Sequence, residues 1–390
     1  MISTNEGDQI VKFLHTADWH IGRRLHGFDL TEEQQNAFQQ IEQIALDEQV
    51  DGIVIAGDLY DRGAPAETAV AQLNGMLEQL NLKDHFPIYA ISGNHDSATR
   101  LATGSPWFKD TQFYLNTKIA QAFEPVELPD TQLFLLPYFE PFEVQQYFDD
   151  DSIQHLDQAI VPIVAKMKTH FDPAKKHVLV AHFFAAGSAT TDSETRLTVG
   201  GLGAIPTGSL TDFDYVALGH LHGRDALTTD AVPARYSGSP VKFSMSEANQ
   251  QKGVWIVDTA TEPVSWTFRP ITPIRDVQQL TASFEDLLDP EQFQELNFDD
   301  FFGIVLTDTQ PIPNVLAQLR ERYPNIVTLG RQDGFQTQVA YQGESGQQMR
   351  QMNPMTLLAD FYEQVAQEPL TKQQQQWASD ALKQANEEEK

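Results

Sequence analysis

Five short stretches carry residues able to hold a charged ligand or move a proton: Asp18-Trp19-His20, Gly57-Asp58-Leu59-Tyr60-Asp61-Arg62, Gly93-Asn94-His95-Asp96, His182, and Gly219-His220-Leu221-His222. Each follows at once on an apolar run of strand character, at 12–17, 52–56, 87–91, 177–181 and 215–218. One such group is weak evidence, because Asp, Asn and His are ordinary turn residues. Five in register with strand ends are another matter, since open α/β folds build their sites at the carboxyl edge of the strands. The residue types also agree with one another. Carboxylate, imidazole and an amide oxygen suit borderline divalent ions such as Mn²⁺, Fe²⁺ or Zn²⁺, and the chain has no cysteine to offer a thiolate. Two such ions ~3.5–4 Å apart activate water and stabilise both oxygens of an in-line phosphoryl displacement. A paired site needs a bridging ligand, and a carboxylate bridges best, so Asp58 is the residue expected to be shared.

The elements that must position these groups alternate as in α/β proteins. A helix is predicted from Thr31, with Thr31 and Gln34 as a capping box and Phe38, Ile41, Ile44 and Ala45 on its apolar face. A second carries Val70, Leu73, Leu77 and Leu80. A third helical pattern, 156–167, contains Pro162 and is predicted to kink or start there. A further strand is expected at 132–137. Residues 185–211, rich in Gly, Ser and Thr, read as a long loop, a length uncommon in loops without a task. Strands at 234–237, 253–258 and 264–269 follow, and Pro270 and Pro273 suggest a domain boundary. Beyond it, strands at 276–283, 302–307 and 326–330 and a helix at 315–322 outline a small α/β unit. From Asn353 a helical stripe of Leu357, Leu358, Phe361, Tyr362 and Val365 leads to a Gln- and Glu-rich end, 371–390, expected to be partly disordered.

The bulk numbers set limits. A chain of 390 residues exceeds the usual size of one core. Its 41% hydrophobic content and 24 phenylalanines indicate a folded protein. No apolar run approaches the ~20 residues of a membrane span. The stretch MISTNEGDQIVKF has neither a basic start nor an apolar signal core, so a cytoplasmic location is expected. The formal net charge of −29 is awkward for any role on nucleic acid, where phosphate neutralisation supplies most of the affinity. Such a chain needs metal ions, a local basic patch or a basic partner.

Taken in order, DxH, GDxxD, GNHD, a lone His and GHxH resemble the calcineurin-like metallophosphoesterase superfamily. The fuller strings HTADWHIGRRL, GDLYDRGAP, SGNHDS, DYVALGHLH, YSGSPVKFSMSE and PITPIRDV resemble its SbcD branch, over most of the chain from Phe13 to about Gln367. The resemblance implies a four-layer α/β/β/α metallophosphoesterase core at 1–270, a small α/β capping domain at 271–345, and a C-terminal partner-docking helix and tail at 346–390. It implies two divalent metal ions, most commonly Mn²⁺. Asp18, His20, Asp58 and His222 would hold one, and Asp58, Asn94, His182 and His220 the other. His95 would stay off the metals and act on the leaving oxygen, with Asp61 as its orienting partner. The activity implied is that of a DNA exonuclease and structure-directed endonuclease in repair and recombination. Its partner is an SbcC-type coiled-coil ATPase, gripped through Leu357, Leu358, Phe361, Tyr362 and Val365, and a homodimer within the complex is implied as well. DNA clamped largely by that ATPase would reconcile a nuclease with the acidic charge.

Several residues admit plainer roles. Asp61 and Asp96 fit simple turn capping as well as contact with the site. Arg62 is either a phosphate contact or a solvated loop residue. His15 is read as structural, because strand alternation turns it away from His20. Two other functions share parts of the pattern: another calcineurin-like phosphoesterase acting on cyclic nucleotides or phosphoproteins, and a non-catalytic DNA-end tether. An intact set including His95, which has no duty in merely holding metal, argues against the tether.

Overall fold

The computed structural model describes residues 11–194, 204–227, 232–332, 355 and 370–379. The described residues fall into two compact units. The first is drawn from Met1–Leu280, Phe293–Gly303 and Ala317–Thr328, the second from Thr281–Gln292, Ile304–Leu316 and Leu329–Lys390.

The first unit is built on two sheets. In one, Lys12–Thr16, Gly52–Ala56, Ile88–Ile91 and Phe113–Asn116 run parallel, and Gly253–Asp258 and Ser265–Pro270 extend it antiparallel beyond Lys12–Thr16. In the other, Thr131–Leu136, Lys176–His182, Tyr215–Gly219 and Ala234–Tyr236 are parallel, with Val126–Glu127 antiparallel at one edge. The central strands are apolar on both faces, as sheets covered on both sides must be. Alternate residues explain the layers. Phe13, Val54, Ala56, Tyr89 and Ile91 of one sheet meet Leu133, Leu135, Val178, Val180, Tyr215 and Ala217 of the other in a shared core. Leu14, Ile53, Ile55, Ile88 and Ala90 turn outward onto Ala37, Phe38, Ile41, Leu73 and Met76, from helices Thr31–Asp47 and Glu67–Glu78. On the far side Phe134, Leu136, Leu179 and Ala181 pack under Ile160, Ile163 and Met167 of helix Leu156–Lys168. The order is helix, sheet, sheet, helix.

A separate three-stranded sheet runs Val277–Ala282, Phe301–Leu306, Ile326–Arg331, with short helices at Phe284–Leu288 and Val315–Arg320. Among the described residues no helix is long and apolar enough to cross a membrane.

Two local expectations change, and two elements were not announced by the sequence. The capping box at Thr31 does not form: Asp29 Oδ1 accepts from Thr31 N at 2.9 Å, and the Gln34 amide is engaged elsewhere. Pro162 neither starts nor ends its helix, which begins at Leu156 and continues through it. The parallel edge strand Phe113–Asn116 has only four residues, too few for alternation to announce it. In the C-terminal end, 372–379 is helical, with Thr371 Oγ1 and the Gln374 amide forming a reciprocal cap. The stripe Leu357, Leu358, Phe361, Tyr362 and Val365 lies outside the described residues.

Candidate metal centre

Each of the five motifs begins where a central strand ends, and both sheets deliver their loops to one place. The loop after Lys12–Thr16 and that after Gly52–Ala56 run together through Asp18 N to Gly57 O at 3.0 Å, His20 N to Asp58 O at 3.0 Å and Ile21 N to Leu59 O at 2.9 Å. Gln34, freed from capping, donates to His20 O at 2.8 Å and accepts from Gly22 N at 3.3 Å, fixing the first loop to its helix. Asp18, His20, Asp58 and His220 all take positive φ, at 54°, 44°, 52° and 95°. Non-glycine residues rarely adopt that region, and they cluster there at functional sites.

The structure brings together all seven residues expected to hold metal, six of them buried and Asn94 half-buried. Asp18, His20 and His222 offer ligand atoms within 4.8 Å of one another, and so do Asp18, Asp58 and His182. Asn94 Oδ1 lies 2.9 Å from His182 Nε2 and 3.0 Å from His220 Nδ1. Asp58 Oδ2 is 3.3 Å from His182 Nε2 and 3.5 Å from His20 Nε2, midway between the two groups, as a bridging carboxylate must be. His182 Nδ1 points at Ala56 O, 2.8 Å away, which turns Nε2 into the cluster.

Electrostatics follow from this crowding. Burial pushes the Asp18 carboxyl up to about 7, against the pull of His182 and His222. Burial acts in the same sense on Asp58, but His182, His20 and His95 hold it far below the usual carboxylate range. Burial drives His20 well below the usual imidazole range and His220 to about 3. His182 is raised in spite of burial, by Asp58. His20 Nε2 and His222 Nε2 lie 3.1 Å apart, within reach of a shared proton, and among the described residues the buried His20 Nδ1 has no hydrogen-bond partner. Converging oxygen and nitrogen lone pairs around a bridging carboxylate fit divalent cations.

His95 sits at the edge of this cluster, its ring 4.7 Å from that of His20. Its N donates to Asp58 Oδ1 at 2.8 Å, and its Nδ1 lies 2.7 Å from the main-chain carbonyl of Asp61. The orienting contact expected from Asp61 is therefore made by its backbone, not its carboxylate. That carboxylate faces Arg23 at 3.6 Å and Arg62 at 3.4 Å. His20, Asp61 and His95 also approach one another within 4.8 Å, but the Arg23 guanidinium beside Asp61 makes this third group unsuited to a cation. Arg62 exposes 69% of its side chain. Asp96 accepts from Leu59 N, Tyr60 N and Gly93 N at 3.1, 3.0 and 3.0 Å, clasping the two aspartate loops together. His15 lies in the shared core with Nδ1 at 3.0 Å from the Tyr215 hydroxyl, apart from the cluster.

The comparisons agree with this geometry. The family model described as calcineurin-like phosphoesterase matches residues 11–224, and that described as type 5 capsule protein repressor C-terminal domain matches 273–366. The SbcD subunit of the nuclease SbcCD from Staphylococcus epidermidis is 34% identical over 368 residues, which cover 93% of this chain and 96% of that protein. The chain belongs to the SbcD family of calcineurin-like phosphoesterases. Among solved structures, a protein of Thermus thermophilus is 11% identical, covering 67% of this chain and 100% of its own, with a TM-score of 0.40. A dimetal phosphatase from Danio rerio is 13% identical, covering 68% and 100%, with a TM-score of 0.39. The SbcD family implies divalent metal ions, and the His and Asp groups here fit them.

Sequence reasoning missed a layer behind these residues. Arg23, within the string HIGRRL, donates to Ser193 O at 2.6 Å and lies over the Phe243 ring. Ser193, Glu194, Glu247 and Lys252 are buried around His222. KFSMSE contains Glu247, but nothing in its spacing shows that this acid returns to a histidine 25 residues earlier.

Proposed function

We propose that this chain is the metal-dependent nuclease subunit of an SbcCD-type complex, cutting DNA phosphodiesters as an exonuclease and structure-directed endonuclease alongside an SbcC-type ATPase in repair and recombination. The observation that supports it best is the convergence of Asp18, His20, His182, His220, His222 and Asn94 on Asp58, with His95 beside them and separately held. On this reading Asp18, His20, Asp58 and His222 hold one divalent ion and Asp58, Asn94, His182 and His220 the other, Mn²⁺ being the ion we favour. Bound there, the ions supply Lewis acidity toward water and the phosphoryl oxygens. The chain's own residues do the rest. Asp58 keeps the two sites in register. The Asp61 carbonyl accepts from His95 Nδ1 and so aims the ring, and His95 is assigned the proton that goes to the departing oxygen. Arg62, exposed and next to this histidine's support, is assigned to the phosphate backbone. The same reading takes 1–270 as the nuclease domain, 271–345 as the cap and 346–390 as the segment that docks on the ATPase through Leu357, Leu358, Phe361, Tyr362 and Val365. A homodimer and a cytoplasmic site of action complete it.

A substrate panel tests this reading. With Mn²⁺ the chain and its ATPase partner should cleave labelled linear and hairpin DNA, and chelation should abolish cleavage. Turnover of cyclic nucleotides or phosphopeptides, with DNA left intact, would move the assignment to another calcineurin-like phosphoesterase.

A further inference from the structure

The Ser- and Thr-rich stretch after His182 and the acid that ends KFSMSE have no part in the reading above, yet they meet behind His222. Ser193 Oγ lies 2.6 Å from His222 Nδ1 and 2.5 Å from Glu247 Oε1. Ser193 Oγ also stands 2.9 Å from Thr191 Oγ1, its longest contact, and a hydroxyl with one proton donates it to one partner, the nearest and anionic acceptor first. Glu247 is ion-paired with Lys252 at 2.5 Å and accepts from Phe243 N at 3.2 Å and Ser244 Oγ at 3.1 Å, so it is an acceptor only. The Ser193 proton therefore goes to Glu247, and the bond to His222 must use a proton on Nδ1. The lone pair of His222 is then on Nε2, the atom facing His20 at 3.1 Å.

The rest of His222 is fixed from the same side. Glu194 Oε1 accepts from its backbone N at 2.9 Å, and Lys252 Nζ donates to its backbone O at 2.8 Å. Glu194 in turn is held by Thr191, whose hydroxyl donates to Oε2 at 2.7 Å. Ser193, Glu194, Glu247 and Lys252 are 7%, 8%, 0% and 6% exposed, so water does not substitute for these partners. A buried Glu–Lys pair by itself is weak evidence of a role in stability. It would not require a hydroxyl between the acid and the imidazole.

We propose that Ser193 and Glu247 are positioning residues: a carboxylate–hydroxyl–imidazole relay that sets the tautomer and aim of His222, with 191–194 as the arm of the long loop that carries it. The inference rests on the reading of His222 as a metal ligand. Partners behind a ligating histidine are typically worth about 10–100-fold in metal affinity.

The test is calorimetric titration of the metal-stripped full chain with Mn²⁺. Wild type should bind two ions. Ser193→Ala should weaken one of them ~10–100-fold and leave the other near its wild-type affinity, and Ser193→Thr, which keeps the hydroxyl, should restore it. Independently of any variant, ¹⁵N imidazole signals of the Zn²⁺-loaded wild type should show His222 protonated at Nδ1. Unchanged affinities in Ser193→Ala, or a proton on Nε2 of wild-type His222, would overturn the relay and leave the metal-site reading standing. A wild type that takes up no ion would overturn both.

Discussion

His95 is steadied by backbone, and this changes what its neighbour does. Its ring is oriented by the Asp61 carbonyl at 2.7 Å, a group that any residue at position 61 provides. The Asp61 carboxylate instead balances Arg23, at 3.6 Å, in a half-buried pair. At 3.6 Å the two charges stand beyond the about 2.7–2.9 Å of a charge-assisted hydrogen bond, so the pair is a loose one. Asp61→Asn is therefore expected to keep both metals and lose less than about tenfold in turnover, measured beside His95→Ser under the same conditions. An Asp61→Asn chain as inactive as His95→Ser would show that the carboxylate acts directly. Asp96 has the opposite standing. With three main-chain N–H groups on one half-buried carboxyl, it ties the Asp58 loop to the Asn94 loop, so what looks like a turn residue joins two sets of candidate ligands.

At the scale of elements, the strands that carry the site were legible because each is an apolar run ending in a polar group. Phe113–Asn116 was not, since a four-residue edge strand leaves too little pattern. The seven candidate ligands were legible because each lies at a strand end. Ser193, Glu194, Glu247 and Lys252 were not, because their partner is fixed by how the long loop folds back. Gln34 misled in a useful way: its spacing from Thr31 fits a cap, but tertiary structure uses its amide to hold the His20 loop. The loops also approach one another too closely for a side chain at Gly93. A Cβ there would stand 2.1 Å from Asp58 Oδ1 and 2.4 Å from Asp58 N. Asp58 would have to move, and crowding of this kind costs about 1–3 kcal/mol. Gly93→Ala is expected to lower the thermal midpoint and to lose bound Mn²⁺, read by metal analysis after dialysis. Full metal content in that variant would show that Asp58 does not bridge.

For the whole molecule, the dominant fact is a formal charge of −29 on a chain assigned to DNA. Repulsion of this size opposes association with a polyanion. On the proposed reading the positive charge that the chain lacks would come from its bound ions and from the ATPase partner. Metal and catalysis are separable on that reading: the ions would supply Lewis acidity toward the phosphodiester, while His95 would serve the departing oxygen. The decisive measurement is Mn²⁺-dependent cleavage of labelled linear and hairpin DNA in the presence of the ATPase partner, comparing wild type with His95→Ser at equal metal content. The account predicts cutting by wild type and a loss of about 10²–10⁴-fold in the variant, the usual worth of a general acid. Equal cutting by both chains would contradict it.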